Sequence, residues 1–212
     1  MTDTDGTAGL DRRLADALER LGHGMRSLAQ RTAREHGLSP LQQQVVLALG
    51  RPRGQREVAA LAAEFDVTTP TMSDAVTALE RKELVTRSPG TDGRRRSLAL
   101  TATGEGVARG LSTWDDPLTG ALAGISEQDR ATTLHTLLRV IADLQRKNVV
   151  SVTRMCTTCR FFGRDEHDDP AVPHHCHLLR VPLPLAGLRT DCPEHEPADA
   201  PVSRRKQRTP GP

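Results

Sequence analysis

All four cysteines of this 212-residue chain fall between Cys156 and Cys192, and thiols gathered in one stretch suggest one shared site. Their spacing is C-x2-C-x16-C-x15-C, carried by Cys156, Cys159, Cys176 and Cys192. A C-x2-C turn aims two thiolates at one centre, and four thiolates complete a tetrahedral zinc shell or hold an iron–sulfur cluster. Zinc is the expected cofactor, with an iron–sulfur cluster as the alternative, because the last two thiols are single rather than paired as zinc modules commonly have them. His174, His175 and His177 flank Cys176, and His195 follows Cys192-Pro193, so one imidazole could replace a thiolate. The ordinary role of most of these histidines is a polar loop position. A remote alternative makes Cys156 and Cys159 a thiol–disulfide redox pair. It lacks the alternating strands and helices that present such a pair, and it leaves two cysteines unexplained.

A second group of residues suits phosphates. Arg94-Arg95-Arg96 follows the turn Pro89-Gly90-Thr91-Asp92-Gly93, between the short apolar runs Leu84-Val85-Thr86-Arg87 and Leu98-Ala99-Leu100-Thr101. Three cations thus stand near the tip of a hairpin. Just before it, Thr69 to Glu80 reads as a helix opened by Thr69-Pro70, with Met72, Val76 and Leu79 inward. Its small polar side chains Thr68, Thr69, Thr71, Ser73, Asp74 and Thr77 are of the type that reaches base edges and phosphates. Arg87, Asp92, Arg94, Arg95 and Arg96 supply the hairpin's charges.

These groups need elements to hold them. From Asp11 to His36, Leu14, Leu18, Leu21, Met25 and Leu28 recur at helical spacing, and Gly37 is the expected C-terminal stop. Ser39-Pro40-Leu41-Gln42 supplies a capping box for a short second helix. Glu57 to Phe65 is alanine-rich and reads as a third, with Asp66-Val67-Thr68 turning into the fourth. After the hairpin, Thr103 to Leu111 is helical, and Trp114 to Pro117 interrupts the chain. Ser126 then caps a last helix whose Leu134, Leu137, Leu138, Ile141 and Leu144 form a near-heptad stripe, a face that usually meets another helix.

The helix order, Leu79 to Arg87, and the hairpin reading Asp92-Gly93-Arg94-Arg95-Arg96-Ser97-Leu98-Ala99-Leu100-Thr101 together resemble the MarR family of winged-helix transcriptional regulators. The match to the family's Asp-x-Arg turn and Leu-x-Leu-Thr strand rests on Asp92, Arg94, Leu98, Leu100 and Thr101. The resemblance implies a homodimer whose terminal helices interlock, on an inverted-repeat duplex DNA operator. Each recognition helix enters a major groove, and each wing reaches a minor groove through Arg94, oriented by Asp92. It also implies an organic ligand between the dimer helices and the winged region. Two positions depart from the pattern: Glu83 stands where the family usually has glycine, and Asp74 near where it often has a basic residue. Asp74 either turns inward or acts by rejecting wrong sequences.

The expected fold class is mainly α (α+β), a winged helix-turn-helix with long dimerisation helices and a small C-terminal metal-binding module. Residues 10–148 are the winged-helix and dimerisation domain, 149–197 the cysteine-rich module, and 198–212 a disordered basic tail. A formal net charge of +2 makes the position of the arginines matter more than their number. Aromatic content of 2% offers few stacking platforms, which favours duplex over single-stranded partners. No apolar run is long enough to span a membrane, so a cytoplasmic location is expected. Neither a dinucleotide fingerprint nor a phosphate loop is present, and the chain reads as a regulator rather than an enzyme. The function expected is duplex-DNA-binding transcriptional regulation, as a repressor that responds to redox or metal status through the four cysteines. The alternative is a regulator that senses an organic ligand and carries a purely structural zinc.

Overall fold

The computed structural model describes residues 4–51, 56–89, 96–150 and 154–198. It divides into two compact units, Met1–Gly124 and Ile125–Pro212. The fold is mainly α, with two small three-stranded antiparallel sheets.

In the first unit, α1 (Thr4–Glu35) ends where the apolar stripe ends. Gly37 takes a left-handed φ of 65°, and Leu38 N–H donates back to the Ala33 carbonyl at 2.8 Å. That reversed last turn closes helix ends with a residue that bears no Cβ. The stripe's first part stays uncovered: Leu10, Leu14, Leu18 and Leu21 are 44–54% exposed. α2 (Pro40–Leu49) carries the expected capping box, with Ser39 and Gln42 bonded reciprocally.

The expected third helix is shorter than its alanine pattern. Arg56–Glu57 is instead strand β1, paired with Leu98 and Ser97, and α3 covers Val58–Glu64. Helix propensity at Glu57 loses to a ladder that only the tertiary fold supplies. α4 (Thr69–Arg81) has Thr68 as its N-cap, one residue earlier than Thr69-Pro70 suggests, and the Thr68 hydroxyl accepts from Thr71 N–H. β2 (Val85–Pro89) and β3 (Arg96–Leu100) form the hairpin, with Arg87 opposite Leu98, in the order β1-β3-β2. α5 (Ala102–Leu111) and α6 (Asp116–Ala123) come next. Val45, Val46, Leu61, Met72, Val76, Leu79, Leu98 and Leu111 are fully buried in one core, so α2, α3, α4, α5 and the hairpin share it.

The turn from α4 into β2 is built on Glu83, at a left-handed φ of 56°. Glu83 N–H donates to the Glu80 carbonyl at 2.9 Å and Leu84 N–H to the Leu79 carbonyl at 3.0 Å, the paired bonds of a Schellman end. Here the reason for glycine in the resembling family becomes visible, since Glu83 holds a conformation that crowds a side chain. Gly104 answers it from α5. A Cβ there would run into the Leu84 carbonyl, which also accepts from Thr101 N–H at 3.1 Å.

The second unit places its boundary differently from the sequence reading. A division after residue 148 groups α7 (Glu127–Arg146) with the winged helix, yet the compact units divide after Gly124. The reason is the core that α7 shares with the cysteine segment. Leu138 and Ala142 are buried with Met155 and Leu188, and Leu134, Ile141, Cys156 and Phe162 pack around them. The stripe expected to meet another helix therefore meets the cysteine segment over half its width. Leu137 and Leu144 lie half-buried outside that core, and Val140 is 43% exposed. Three short strands, β4 (Phe162–Gly163), β5 (His174–Cys176) and β6 (Val181–Leu183), and single 3₁₀ turns at Cys156–Thr158 and Leu185–Gly187 complete the unit. Residues 199–212, most of the expected tail, lie outside the described residues.

Opposite glycine exchanges test the α4–β2 turn. Glu83→Gly is expected to raise unfolding free energy by about 0.5–1 kcal/mol, left-handed relief less the entropy of the unfolded glycine. Gly104→Ala is expected to lower it by about 1–3 kcal/mol through overpacking. Urea denaturation of both variants decides, and equal or reversed signs would contradict the turn.

Candidate nucleic-acid interface and thiol cluster

The polar residues singled out on α4 divide into two sets. Thr69, Thr71 and Asp74 are exposed on its first turns, and Ser73 is half-buried. Asp74 therefore does not turn inward. Thr68, though exposed, commits its hydroxyl to the cap and to a 2.8 Å bond with the Thr71 hydroxyl. Thr77 serves the fold instead, because its hydroxyl donates to the Ser73 carbonyl at 2.8 Å and accepts from the Arg87 guanidinium at 3.5 Å.

Arg87 has a structural role of the same kind. Its Nε donates to the Glu80 carboxylate at 3.0 Å, so one strand cation is tied to two side chains of α4. Helix and hairpin are thereby cross-braced beyond their shared core. Both partners are partly exposed, which limits the pair to about 0.2–1 kcal/mol. Glu80 escapes a sequence reading because a helix-to-strand pair has no periodic spacing. Asp92, Arg94 and Arg95 lie outside the described residues. Arg96 opens β3 opposite Pro89, its side chain likewise outside the description.

The four cysteines come together. Cys156, Cys159, Cys176 and Cys192 line one cavity of about 30 Å³ with Phe161, Phe162, Leu178, Leu179, Leu183 and Glu194. All four thiols are free of disulfides and half-buried. Backbone bonds bring them there. Phe162 pairs with Cys176 across β4 and β5, Cys156 N–H donates to the Arg189 carbonyl at 3.0 Å, and Cys192 N–H to the Arg154 carbonyl at 2.8 Å. Arg189 adds a contact the sequence reading missed, its N–H donating to Cys156 Sγ at 3.2 Å. Its position three residues before Cys192 was the available signal. Burial pushes the Cys156 thiol above the ordinary range, the opposite of what a nucleophilic redox cysteine needs. Among the described residues, no three His, Cys, Asp or Glu side chains close on a single ion.

The flanking histidines are occupied elsewhere. β5 turns His174 into the interior, where its Nδ1 accepts from Asp165 N–H at 3.1 Å and its ring meets Phe162 and His135 at 5.0 and 5.1 Å. Burial holds both His174 and His135 below the usual histidine range. His175 contacts His167 at 3.0 Å, His177 contacts Glu166 at 2.9 Å, and His195 contacts Thr158 at 3.0 Å. None of these imidazoles lines the thiol cavity.

Residues 36–95 match the model of the MarR family. That segment, α2 through the hairpin, is similar to the family's winged-helix region. No curated protein matches it. Among solved structures, the transcriptional regulator PA3341 is 26% identical over 63% of this chain and 98% of that one, with a TM-score of 0.56. Staphylococcus aureus MepR in its DNA-binding conformation is 21% identical over 62% of this chain and 98% of its own, with a TM-score of 0.57. MepR bound to DNA gives 21%, the same coverages and a TM-score of 0.53. These last two likenesses show the fold alone. Among the described residues, no helix is long and apolar enough to cross a membrane.

Leu138→Ala tests the packing of α7 on that extension. Removing a fully buried leucine is expected to cost about 2–5 kcal/mol in denaturant unfolding of the second unit's signal. A cost below about 1 kcal/mol, the level of a surface change, would show that α7 does not share its core with the cysteine segment.

Proposed function

We propose that this chain is a homodimeric, duplex-DNA-binding transcriptional repressor whose C-terminal thiols hold a metal centre that reports redox or metal status. The observation that carries the DNA reading is the N-terminal part of α4, with Thr69, Thr71 and Asp74 exposed and Ser73 half-buried, braced by Arg87 to the hairpin that leads to Arg94, Arg95 and Arg96. α4 would enter the major groove with those short side chains. The hairpin cations would meet phosphates and the adjacent minor groove, where narrowness concentrates negative potential. Arg94 is the wing residue and Asp92 its orienting partner, as the family resemblance implies. Asp74 is a selective element, tolerated only where it can accept from a cytosine amino group.

Self-association is supported by two uncovered strips, each described within its own unit: Leu10, Leu14, Leu18 and Leu21 of α1, and Val140 with Leu137 and Leu144 of α7. The sensing route is supported by the packing of Cys156 against α7 and by the Thr157 hydroxyl, which donates to the Leu138 carbonyl at 3.3 Å. A change at the thiols would be felt first by α7, and a dimer helix that shifts resets the separation of two DNA-reading helices.

A second reading, an organic effector, is favoured by an open cleft of about 740 Å³ in the first unit. Leu47, Leu49, Leu100 and Trp114 give it apolar walls, and Arg51 and Arg109 share the lining with Glu105 and Asp115. An apolar molecule carrying both a donor and an acceptor suits that lining.

Full-length protein is expected to shift a duplex with inverted half-sites about one helical turn apart, with log affinity falling linearly against log salt. Arg94→Ala should weaken the complex by about 1–3 kcal/mol in fluorescence anisotropy. Leu14→Glu should yield monomers in sedimentation. Salt-independent affinity together with an unaffected Arg94→Ala protein would refute the DNA reading. Should the four-cysteine-to-serine dimer bind the operator alike under oxidant, iron and zinc, the sensing route is wrong.

A further inference from the structure

Resting on the reading that the thiols hold metal, we propose that Cys156, Cys159, Cys176 and Cys192 ligate an iron–sulfur cluster rather than a single zinc ion. A zinc ion holds four sulfurs at about 2.3 Å and therefore about 3.8 Å from one another, which leaves no space at the centre for anything the size of water. The four cysteines here share, with five apolar residues and Glu194, the lining of a partly open cavity of about 30 Å³, whereas roughly 10–15 Å³ already admits a water molecule. Among the described residues, no three of the thiols close on one ion. A polynuclear centre, whose own sulfides bridge its irons, takes one thiolate at each of several separated corners.

The supports of the thiols point the same way. They come from three places: the turn that carries both Cys156 and Cys159, the end of β5, and the segment bonded to Arg154. They are not two facing C-x2-C turns built to converge on one point. Phe161, Phe162, Leu178, Leu179 and Leu183 make the remaining wall apolar, which shields a cluster from water. Arg189 donates its backbone N–H to Cys156 Sγ at 3.2 Å and brings its guanidinium to 3.8 Å from Cys192 Sγ. N–H···S bonds and a nearby cation of this kind offset the negative charge of a thiolate-bound cluster and tune its potential. The neighbouring imidazoles have other partners, which leaves the thiols as the ligand set.

The experiment uses the full chain purified without oxygen, with iron, acid-labile sulfide and zinc counted per chain and a visible and Mössbauer spectrum recorded. Iron and sulfide in equal amounts, about two or about four of each, with a broad visible absorption band, are expected. Incubation of metal-free protein with ferrous iron and inorganic sulfide should restore the same spectrum. About one zinc per chain without sulfide, or a chain that takes up neither, overturns the proposal. Cys176→Ser should lose the band. Because that variant can fail to fold, His175→Ala and His177→Ala serve as the second arm: both should retain full iron and sulfide, and loss of iron from either overturns the all-thiol ligand set. DNA binding measured on the same sample separates the two proposals. Iron and sulfide in a protein that binds no duplex uphold the cluster and remove the regulator.

Discussion

The carbonyl of Leu84 is the point on which the winged unit turns. It leaves the Schellman end of α4, accepts from Thr101 N–H, and lies against Gly104, where α5 can approach only because no side chain intervenes. Leu79 and Leu84, the apolar residues at that helix end, are both buried in the common core. The direction in which β2 departs from α4 is therefore set by backbone contacts, and Arg87 reinforces it through Glu80 and Thr77. In the proposed function this constraint matters because two DNA grooves are read at once. A hairpin free to swing would lose to entropy what its arginines gained.

The second unit is held together differently. Among its described residues the cysteine segment buries only Met155 and Leu188 in the shared core, which one face of α7 completes. Cys156 belongs to that core and to the thiol cavity at once. In the proposed function a metal centre there would stabilise the fold and the packing on α7 through the same side chain. The remaining face of α7 keeps Val140 exposed, so packing on the extension does not exhaust the helix.

Local signals made much of this legible. Ser39 and Gln42 announced a capping box, Gly37 a left-handed helix end, and Ser126 an N-cap, because each acts over three or four residues of sequence. The wing's strands were likewise readable from their alternation and turn. What escaped was non-local. β1 exists because Arg56 and Glu57 find β3 some forty residues away in sequence, a ladder that alanine-rich composition conceals. The unit boundary moved because amphipathicity shows that α7 has an apolar face but not what covers it. The thiols were legible as a group, while the histidines beside them could be assigned only once β5 was seen to send His174 inward and His175 away from the cavity. Asp74's exposure and Thr77's bond to Arg87 also needed the tertiary fold.

The central claim is that α4 and the braced hairpin engage duplex DNA as one body in each half of a symmetric pair. Hydroxyl-radical footprinting of the full chain on a genomic fragment that it retards tests this most directly. The account predicts a two-fold symmetric pattern, with protected minor-groove sugars flanking a central site and spaced by whole helical turns. An asymmetric footprint, or protection with no flanking minor-groove component, would contradict it.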